Sequence, residues 1–248
     1  MERRATRVFS GTPPPEPPST TYRRPRLRKC TDSLDIECGS DMKTTYFVRH
    51  GSTDGNETGA YQLHTIPLSE KGLAQVVFVA ERFKNIPVDV IISSDMTRAA
   101  QTADGIARVV GRTVVHSEFF HEILRPSAVR GKLKADPEVM KITEHLIRYF
   151  ADDTQRHSDE ENFFDIRRRA VAGLHFLAKR PEENILVVTH GTILLTLMAV
   201  MIDGEHTSPE FFLKLDRFLH ASNTGITKCL WRDGTWRLVV WNDHAHLG

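Results

Sequence analysis

The hydrophobic residues of this chain form short runs that alternate with longer stretches of helical spacing. The short runs predict strands, and four of them cover residues 43–48, 88–92, 113–116 and 184–189. The longer stretches, with apolar residues three and four positions apart, predict helices over about residues 70–84, 96–110, 137–151, 161–179 and 192–202. Because strands that alternate with helices are typical of an α/β fold, we predict a three-layer α/β/α sandwich with a mostly parallel central sheet.

Turn and capping residues mark the limits of several predicted elements. Ser93-Ser94-Asp95 should cap the helix of about 96–110, and Gly111 should end it. Asp233-Gly234 is a hairpin signal near the end of the chain. It predicts two last strands, over about residues 223–231 and 235–241.

The composition is that of an ordinary soluble globular protein, with 40% hydrophobic and 26% charged residues. A formal net charge of +1 gives no general attraction to nucleic acid or to an anionic membrane. No stretch approaches the roughly 20 apolar residues that a membrane span needs. Cys30, Cys38 and Cys229 are an odd number without metal-ligand spacing, so we expect no disulfide framework and a cytoplasmic location.

Residues 1–41 differ from the remainder of the chain. They contain two proline runs and a basic cluster between Arg23 and Lys29. Such a composition favours extended, solvated chain, so we expect a disordered leader before a domain of residues 42–248, with Met42 as the functional start. A basic arm for nucleic acid or membranes and a transit peptide are the alternatives, although the prolines disfavour the amphipathic helix of a transit peptide.

Two of the predicted strands end in similar residues. Arg49-His50-Gly51 follows the first strand, and His190-Gly191 follows the fourth. Arg98 lies on the first turn of the helix after the second strand. In open α/β sheets ligands bind beyond the carboxyl ends of the strands. If these strands are neighbours, two guanidiniums and two imidazoles meet at one edge and form a pocket for a tetrahedral dianion.

The order and spacing of these motifs resemble the histidine phosphatase superfamily (phosphoglycerate-mutase-like), in its phosphatase branch. The matching stretches are Arg49 to Asn56, Pro67 to Gly72, Ser93 to Thr102 and Val188 to Thr192. The resemblance covers residues 43 to about 247 and leaves residues 1–41 outside. It implies the phosphoglycerate-mutase-like fold for residues 42–248, with an insertion at about 118–160 that caps the active site.

The resemblance also implies a metal-independent phosphomonoester hydrolase of the histidine acid phosphatase type, without a cofactor. His50 would be the nucleophile that becomes phosphohistidine. The residues that would bind the phosphoryl oxygens are Arg49, Asn56, Arg98, His190 and Thr53. Glu122 would be the general acid and base, in preference to Glu118, because the stretch from His121 to Ser127 resembles an acid-bearing loop of many family members. Since arginine already meets the phosphate charge, we expect no metal, and no carboxylate cluster for Mg²⁺ is visible in the sequence.

Two alternatives stay open. The first is a phosphoglycerate-type mutase, although that branch typically has an Asn-Arg-Phe stretch and a Gly-Trp pair where this chain reads Asn56 to Leu63. The second is a phosphate-binding module that keeps the fold without turnover. For either enzyme we expect a small-molecule phosphomonoester as the partner, with no nucleic acid and no membrane. The natural substrate has no readable signature, and a homodimer is an open question.

The polar residues outside these motifs are expected to be surface or loop residues. We expect no site function for five histidines, namely His64, His145, His157, His175 and His206. The run Arg167-Arg168-Arg169 is interpreted as one exposed face. Arg125 and Ser127 either line the entrance for the substrate or are plain loop residues.

Overall fold

The computed structural model describes residues 42–248, and the leader predicted for residues 1–41 lies outside the described residues. The strands are β1 (Lys43–Arg49), β2 (Val90–Ser93), β3 (Val114–His116), β4 (Asn184–Thr189), β5 (Ile226–Arg232) and β6 (Thr235–Asp243). The helices are α1 (Asp54–Thr58), α2 (Glu70–Phe83), α3 (Thr97–Val110), α4 (Pro137–Arg148), α5 (Phe163–Ala178), α6 (Gly191–Asp203) and α7 (Pro209–Phe218). Short 3-10 helices cover Glu118–Phe120 and Ala245–Leu247.

The six strands form one sheet in the order β3-β2-β4-β1-β5-β6. The pairs β2–β3, β2–β4 and β1–β4 are parallel, and β5 pairs antiparallel with β1 and with β6. The predicted α/β architecture with a mostly parallel sheet is therefore confirmed. In the β1–β4 register Arg49 lies opposite Thr189, so the residues that follow these two strands leave the sheet side by side.

Helices cover both faces of the sheet, as the alternation of side chains along β1 illustrates. Tyr46 and Val48 pack with the apolar faces of α2 and α3, whereas Phe47 packs with those of α5 and α6. Strands covered on both sides are apolar at every position, which is why the central strands read as continuous hydrophobic runs. Burying each large side chain of this kind stabilises the fold by about 1.5–3 kcal/mol.

Two departures from the predicted elements lie close to the strand ends. Helix α1 lies inside the stretch 51–67, where the hydrophobic pattern predicts no helix, and Thr53 and Asn56 form a capping box at its N-terminus. Strand β5 begins three residues later than predicted, and Thr224, just before it, has a left-handed backbone conformation with a φ of 56°. The hairpin turn is confirmed, with Asp233 and Gly234 both at positive φ.

The predicted cap of α3 was also wrong. Its N-cap residue is Met96, which has no capping side chain, and Ser94 instead accepts the backbone N–H of Met96 at 3.3 Å. The Ser94 hydroxyl is at the same time bonded to His190. This serine therefore serves the cluster at the strand ends, and no side-chain oxygen caps the helix.

Gly72 lets the N-terminus of α2 pack against the loop that follows His50. A Cβ at this position would stand 2.0 Å from the carbonyl oxygen of Ser52, far inside van der Waals contact. Any side chain here must displace backbone, so the sequence Ser69 to Gly72 helps to hold the Gly51-Ser52 segment in place. Within residues 42–248, no helix is long and apolar enough to cross a membrane.

Candidate active site

The two strand-end histidines lie next to each other. His50 follows β1 and His190 follows β4, and their ring centroids are 5.0 Å apart. Both are buried, with 3% and 0% of their surface exposed. The parallel pairing of β1 with β4 causes this proximity, because it aligns two stretches that are far apart along the chain.

The hydrogen bonds of His50 fix which ring nitrogen carries the proton. Nδ1 lies 2.7 Å from the carbonyl oxygen of Gly51, which can only accept, so Nδ1 donates. Nε2 accepts the Nε–H of Arg98 at 3.2 Å. Burial, and then the charges of Arg98 and Arg49, lower the pKa of His50 well below its usual 6.5. The ring is therefore neutral at pH 7, with its lone pair on Nε2.

Two arginines flank this nitrogen. Arg98 is 3% exposed, and its Nη1 donates to the carbonyl oxygen of Leu63 at 3.1 Å. Burial lowers the pKa of Arg98 to about 10, so it stays charged at neutral pH. Arg49 donates from Nη1 to the carbonyl oxygen of Ala221, and burial lowers its pKa as well. Among the described residues its buried Nε–H has no partner, which leaves one donor free for an anion.

His190 has a different hydrogen-bond environment from His50. Its Nε2 lies 2.9 Å from the hydroxyl of Ser94, and its buried Nδ1 has no partner within residues 42–248. Burial, followed by the charge of Arg98, lowers the pKa of His190 well below 6.5. A neutral ring with one uncommitted nitrogen can accept or donate a hydrogen bond at this edge of the sheet.

Asn56 and Thr53, both predicted phosphate ligands, occupy unequal positions. Asn56 lines the cavity in front of His50, whereas Thr53 is fully buried behind it. The Thr53 hydroxyl donates to Oδ1 of Asn56 at 3.0 Å, and Asn223 donates from Nδ2 to the carbonyl oxygen of His50 at 2.8 Å. Thr53 thus orients Asn56, and Asn223, which the sequence analysis missed, holds the backbone of His50.

Glu122 lies at the N-terminus of α6. Its carboxylate accepts the backbone N–H groups of Thr192 at 3.1 Å and Ile193 at 3.2 Å, an arrangement that helix N-termini favour. A Cβ built on Gly191 would stand 3.7 Å from Nε of Arg49 and 3.9 Å from Oε2 of Glu122, so these two groups face each other across the glycine. Glu118, the competing candidate, is exposed on a 3-10 helix and does not line the cavity.

Arg169 holds the loop that carries Glu122. It donates to the carbonyl oxygens of His121 at 2.6 Å and of Glu122 at 3.4 Å, and it forms a two-pronged ion pair with Glu161. Glu161 in turn accepts the N–H of Leu124 at 2.9 Å. The interpretation of residues 167–169 as one exposed face was therefore wrong for Arg169, whose side chain is only 16% exposed.

The cavity in front of His50 has a volume of about 420 Å³. Arg125, one of the two entrance candidates, lines it, whereas Ser127 does not. The residues that the sequence analysis did not assign to it include Tyr61, His64, Arg130 and Lys134. They come from two irregular stretches, one before α2 and one before α4. In such stretches the spacing of apolar residues does not indicate which side chains face the cavity.

His64, expected to have no site function, lies at this cavity with a second histidine nearby. His64 and His121 approach the same carboxylate oxygen of Asp95, at 3.2 and 2.6 Å. This contact joins the stretch before α2 to the stretch that carries Glu122. Within residues 42–248, no group of three or more histidine, cysteine or acidic side chains is arranged to hold a metal ion.

Comparisons with known proteins identify the family and the fold. A family model described as "Histidine phosphatase superfamily (branch 1)" matches residues 45–244. A Bacillus subtilis (strain 168) protein named "Uncharacterized phosphatase PhoE" is 27% identical over 208 residues, which are 83% of this chain and 97% of that protein. A Yersinia pestis (strain Pestoides F) protein named "Probable phosphoglycerate mutase GpmB" is 29% identical over 209 residues, covering 83% and 95%. The solved structure of Bacillus stearothermophilus YhfR superposes with a TM-score of 0.72 at 26% identity, covering 83% of this chain and all of that one.

Proposed function

The chain belongs to the histidine phosphatase superfamily, and from this premise we propose that it hydrolyses phosphomonoesters through a phosphohistidine on His50. The observation that supports this most is the neutral Nε2 of His50 beside the guanidinium of Arg98. A lone pair facing a cation-lined cavity suits attack on a phosphoryl group, whose equatorial oxygens carry the charge. We propose a small-molecule substrate, no protein-bound metal and a cytoplasmic location.

In the first step, Nε2 of His50 forms a bond to phosphorus while the ester bond to the leaving alcohol breaks. The fixed donors of Arg49, Arg98, Asn56 and His190 bind the phosphoryl oxygens, with Thr53 acting through Asn56. We assign to Glu122 the transfer of a proton to the leaving oxygen, because its side chain lines the same cavity as His50.

In the second step, water attacks the phosphohistidine, and Glu122 takes a proton from that water. The bond between Nε2 and phosphorus breaks, and inorganic phosphate leaves with the ring neutral again. We further propose that the stretch of about 118–160 caps the site, because Glu122, Arg125, Arg130 and Lys134 all line the cavity.

Trapping the phosphoenzyme tests this proposal. The protein is mixed with a ³²P-labelled phosphomonoester and denatured within milliseconds, and base-stable, acid-labile label on the chain is measured together with p-nitrophenyl phosphate turnover. We expect both to disappear in His50→Ala and to persist in His206→Ala, a matched change at an exposed histidine. Unchanged turnover in His50→Ala would overturn the proposal, because the activity would then come from a contaminating phosphatase and the chain would be a phosphate-binding module without catalysis.

A phosphoglycerate-type mutase is the second candidate, since a relative that is 29% identical carries that name. A mutase must retain the phosphoryl group until a sugar acid accepts it, whereas a hydrolase gives it to water. Chasing the labelled phosphoenzyme with buffer or with 3-phosphoglycerate separates the two. We expect the label to appear as inorganic phosphate at the same rate in the buffer chase and in the 3-phosphoglycerate chase. Transfer of the label to 3-phosphoglycerate would favour the mutase.

A further inference from the structure

Two cations flank one aromatic ring at the wall of the cavity. The guanidinium carbon of Arg125 lies 5.8 Å from the ring centre of Tyr61, and Nζ of Lys134 lies 5.3 Å from it. All three residues line the same cavity as His50. None of them belongs to the motifs that bind the reacting phosphoryl group.

Within residues 42–248, neither cation forms an ion pair. Among the described residues, Arg125 and Lys134 have no carboxylate within 4.0 Å, whereas their neighbour Arg130 is paired with Asp159. The carboxylates that line the cavity are those of Glu122, which is bonded to the N-terminus of α6, and Asp216 on α7. An anion in the cavity would therefore supply these cations with the opposite charge that residues 42–248 do not give them.

The backbone holds this arrangement before any ligand arrives. The stretch before α2 and the stretch before α4 are joined by an antiparallel bridge between Ala60 and Leu133. Tyr61 donates its N–H to the carbonyl oxygen of Lys132 at 2.9 Å, and Lys134 donates to that of Gly59 at 3.0 Å.

The ring of Tyr61 is fixed as well. Its hydroxyl lies within hydrogen-bond distance, 3.1 Å, of the hydroxyl of Thr143 on α4. The ring is therefore held in place against the two cations, and binding a ligand costs little conformational entropy at this side chain.

We propose that Arg125, Lys134 and Tyr61 form a second anion subsite, so that the substrate is a phosphomonoester with a further anionic group, a carboxylate or a second phosphate. This inference rests on the proposed function, because it assumes that the reacting phosphoryl group lies at His50. The forked guanidinium suits two oxygens of such a group, and the ammonium of Lys134 adds a point charge.

The test compares substrates that differ only in the second anion. One pair is 3-phosphoglycerate and glycerol 3-phosphate, and the other is fructose 1,6-bisphosphate and fructose 6-phosphate. We expect the protein to favour the more anionic member of at least one pair by about tenfold or more in kcat/KM, as charge-assisted hydrogen bonds of this strength predict. The pair that shows the preference distinguishes carboxylate from phosphate.

Variants then locate the preference. In the double variant Arg125→Gln with Lys134→Met, the ratio within the favoured pair should fall to near one, because kcat/KM for the more anionic substrate falls by a larger factor than kcat/KM for its partner or for p-nitrophenyl phosphate. Lys132→Met is the matched control, because Lys132 is an exposed neighbour that does not line the cavity. It should keep the wild-type ratio.

Three results would overturn the inference. They are equal rates within both pairs, a ratio that the double variant retains, and an equal loss of the ratio in Lys132→Met, which would indicate a long-range charge effect. These results differ from a failure of the proposed function, in which p-nitrophenyl phosphate would show no turnover that depends on His50, and which would overturn the subsite as well.

Discussion

The Nε–H of Arg98 points at Nε2 of His50 from 3.2 Å, so the nitrogen expected to attack phosphorus is hydrogen-bonded to a cation in the absence of substrate. This contact holds the ring in the tautomer with the proton on Nδ1 and disfavours protonation of Nε2. A bound phosphoryl group would offer its oxygens to the same guanidinium. Arg98 can therefore both keep the nucleophile ready and bind the group that it attacks.

Arg98→Lys keeps a positive charge but loses the planar fork that contacts His50 and Leu63. We expect kcat/KM for p-nitrophenyl phosphate to fall by about a hundredfold or more, the usual cost of one lost donor to a developing anion. Arg108→Lys, at an exposed position of the same helix, should change it by less than twofold. Similar losses in both variants would contradict a specific role of Arg98.

Glu122→Gln should affect esters according to their leaving groups. A glutamine cannot protonate the leaving oxygen, so phosphorylation of His50 by an alkyl phosphate should slow by about 10²-fold or more, whereas p-nitrophenyl phosphate, with a good leaving group, should react nearly normally. Rapid-quench measurement of the phosphoenzyme reports both rates. Glu118→Gln is the matched control, and a selective loss in that variant would mean that Glu118 is the acid.

Arg169→Ala should reproduce part of the Glu122→Gln effect, because it releases the loop that positions the carboxylate. We expect a loss of about tenfold with alkyl phosphates and a smaller loss with p-nitrophenyl phosphate, with partial recovery in Arg169→Lys. Arg168→Ala, at the exposed neighbouring position, should have no effect.

Combining Arg169→Ala with Glu122→Gln distinguishes positioning from general destabilisation. If Arg169 acts through Glu122, the double variant should show no further loss of leaving-group selectivity beyond Glu122→Gln. Equal losses on both kinds of ester, with a lowered melting temperature, would reduce Arg169 to a structural residue.

The free energy of unfolding should decrease as the pH is lowered, because two histidines are buried in their neutral form. The pKa values of His50 and His190 lie well below 6.5 in the folded protein, whereas an unfolded histidine has a pKa of about 6.5. Below that pH the unfolded chain binds more protons, so the free energy of unfolding should decrease by about 1.4 kcal/mol per pH unit for each of them as pH falls. The loss continues until the pH reaches the lowered pKa values of the folded state.

Urea unfolding between pH 7 and pH 5 measures this slope. His190→Asn should reduce it by about one proton, since one linked group is removed, whereas His206→Ala, at an exposed position, should leave it unchanged. An identical slope in wild type and His190→Asn would contradict the burial of a neutral ring at this position.

The sequence was informative where the chemistry follows regular elements. Arg49, His50 and His190 lie at the carboxyl ends of apolar strands, so the pattern predicted that they would meet if those strands were neighbours, and Arg98 lies on the first turn of α3. Residue order and periodicity do not distinguish Glu122 from Glu118, because both lie in a stretch without regular spacing. What distinguishes them in the structure is that the carboxylate of Glu122 is bonded to the N-terminus of α6.

Residues that act through distant contacts gave no local signal. Arg169 is one of three consecutive arginines, and only its carbonyl and Glu161 partners distinguish it from Arg168. Tyr61 and Lys134 are brought together by a bridge between two irregular stretches, a pairing that no composition or spacing rule encodes. In this chain, long-range hydrogen bonds determine which polar loop residues reach the cavity.

The contacts of Arg49 and His50 with Ala221 and Asn223 have a consequence for biosynthesis. The carbonyl oxygen of Ala221 accepts a hydrogen bond from Arg49, and the side chain of Asn223 donates one to the backbone of His50. Both residues must be synthesised before these bonds can hold His50 in place, although His50 itself is translated early. A nascent chain that has been synthesised through His190 therefore carries both imidazoles but still lacks the two residues that hold Arg49 and His50 in place. We expect the cluster at the strand ends to take its final geometry only after residues 221–223 have been synthesised and have folded against the end of β1.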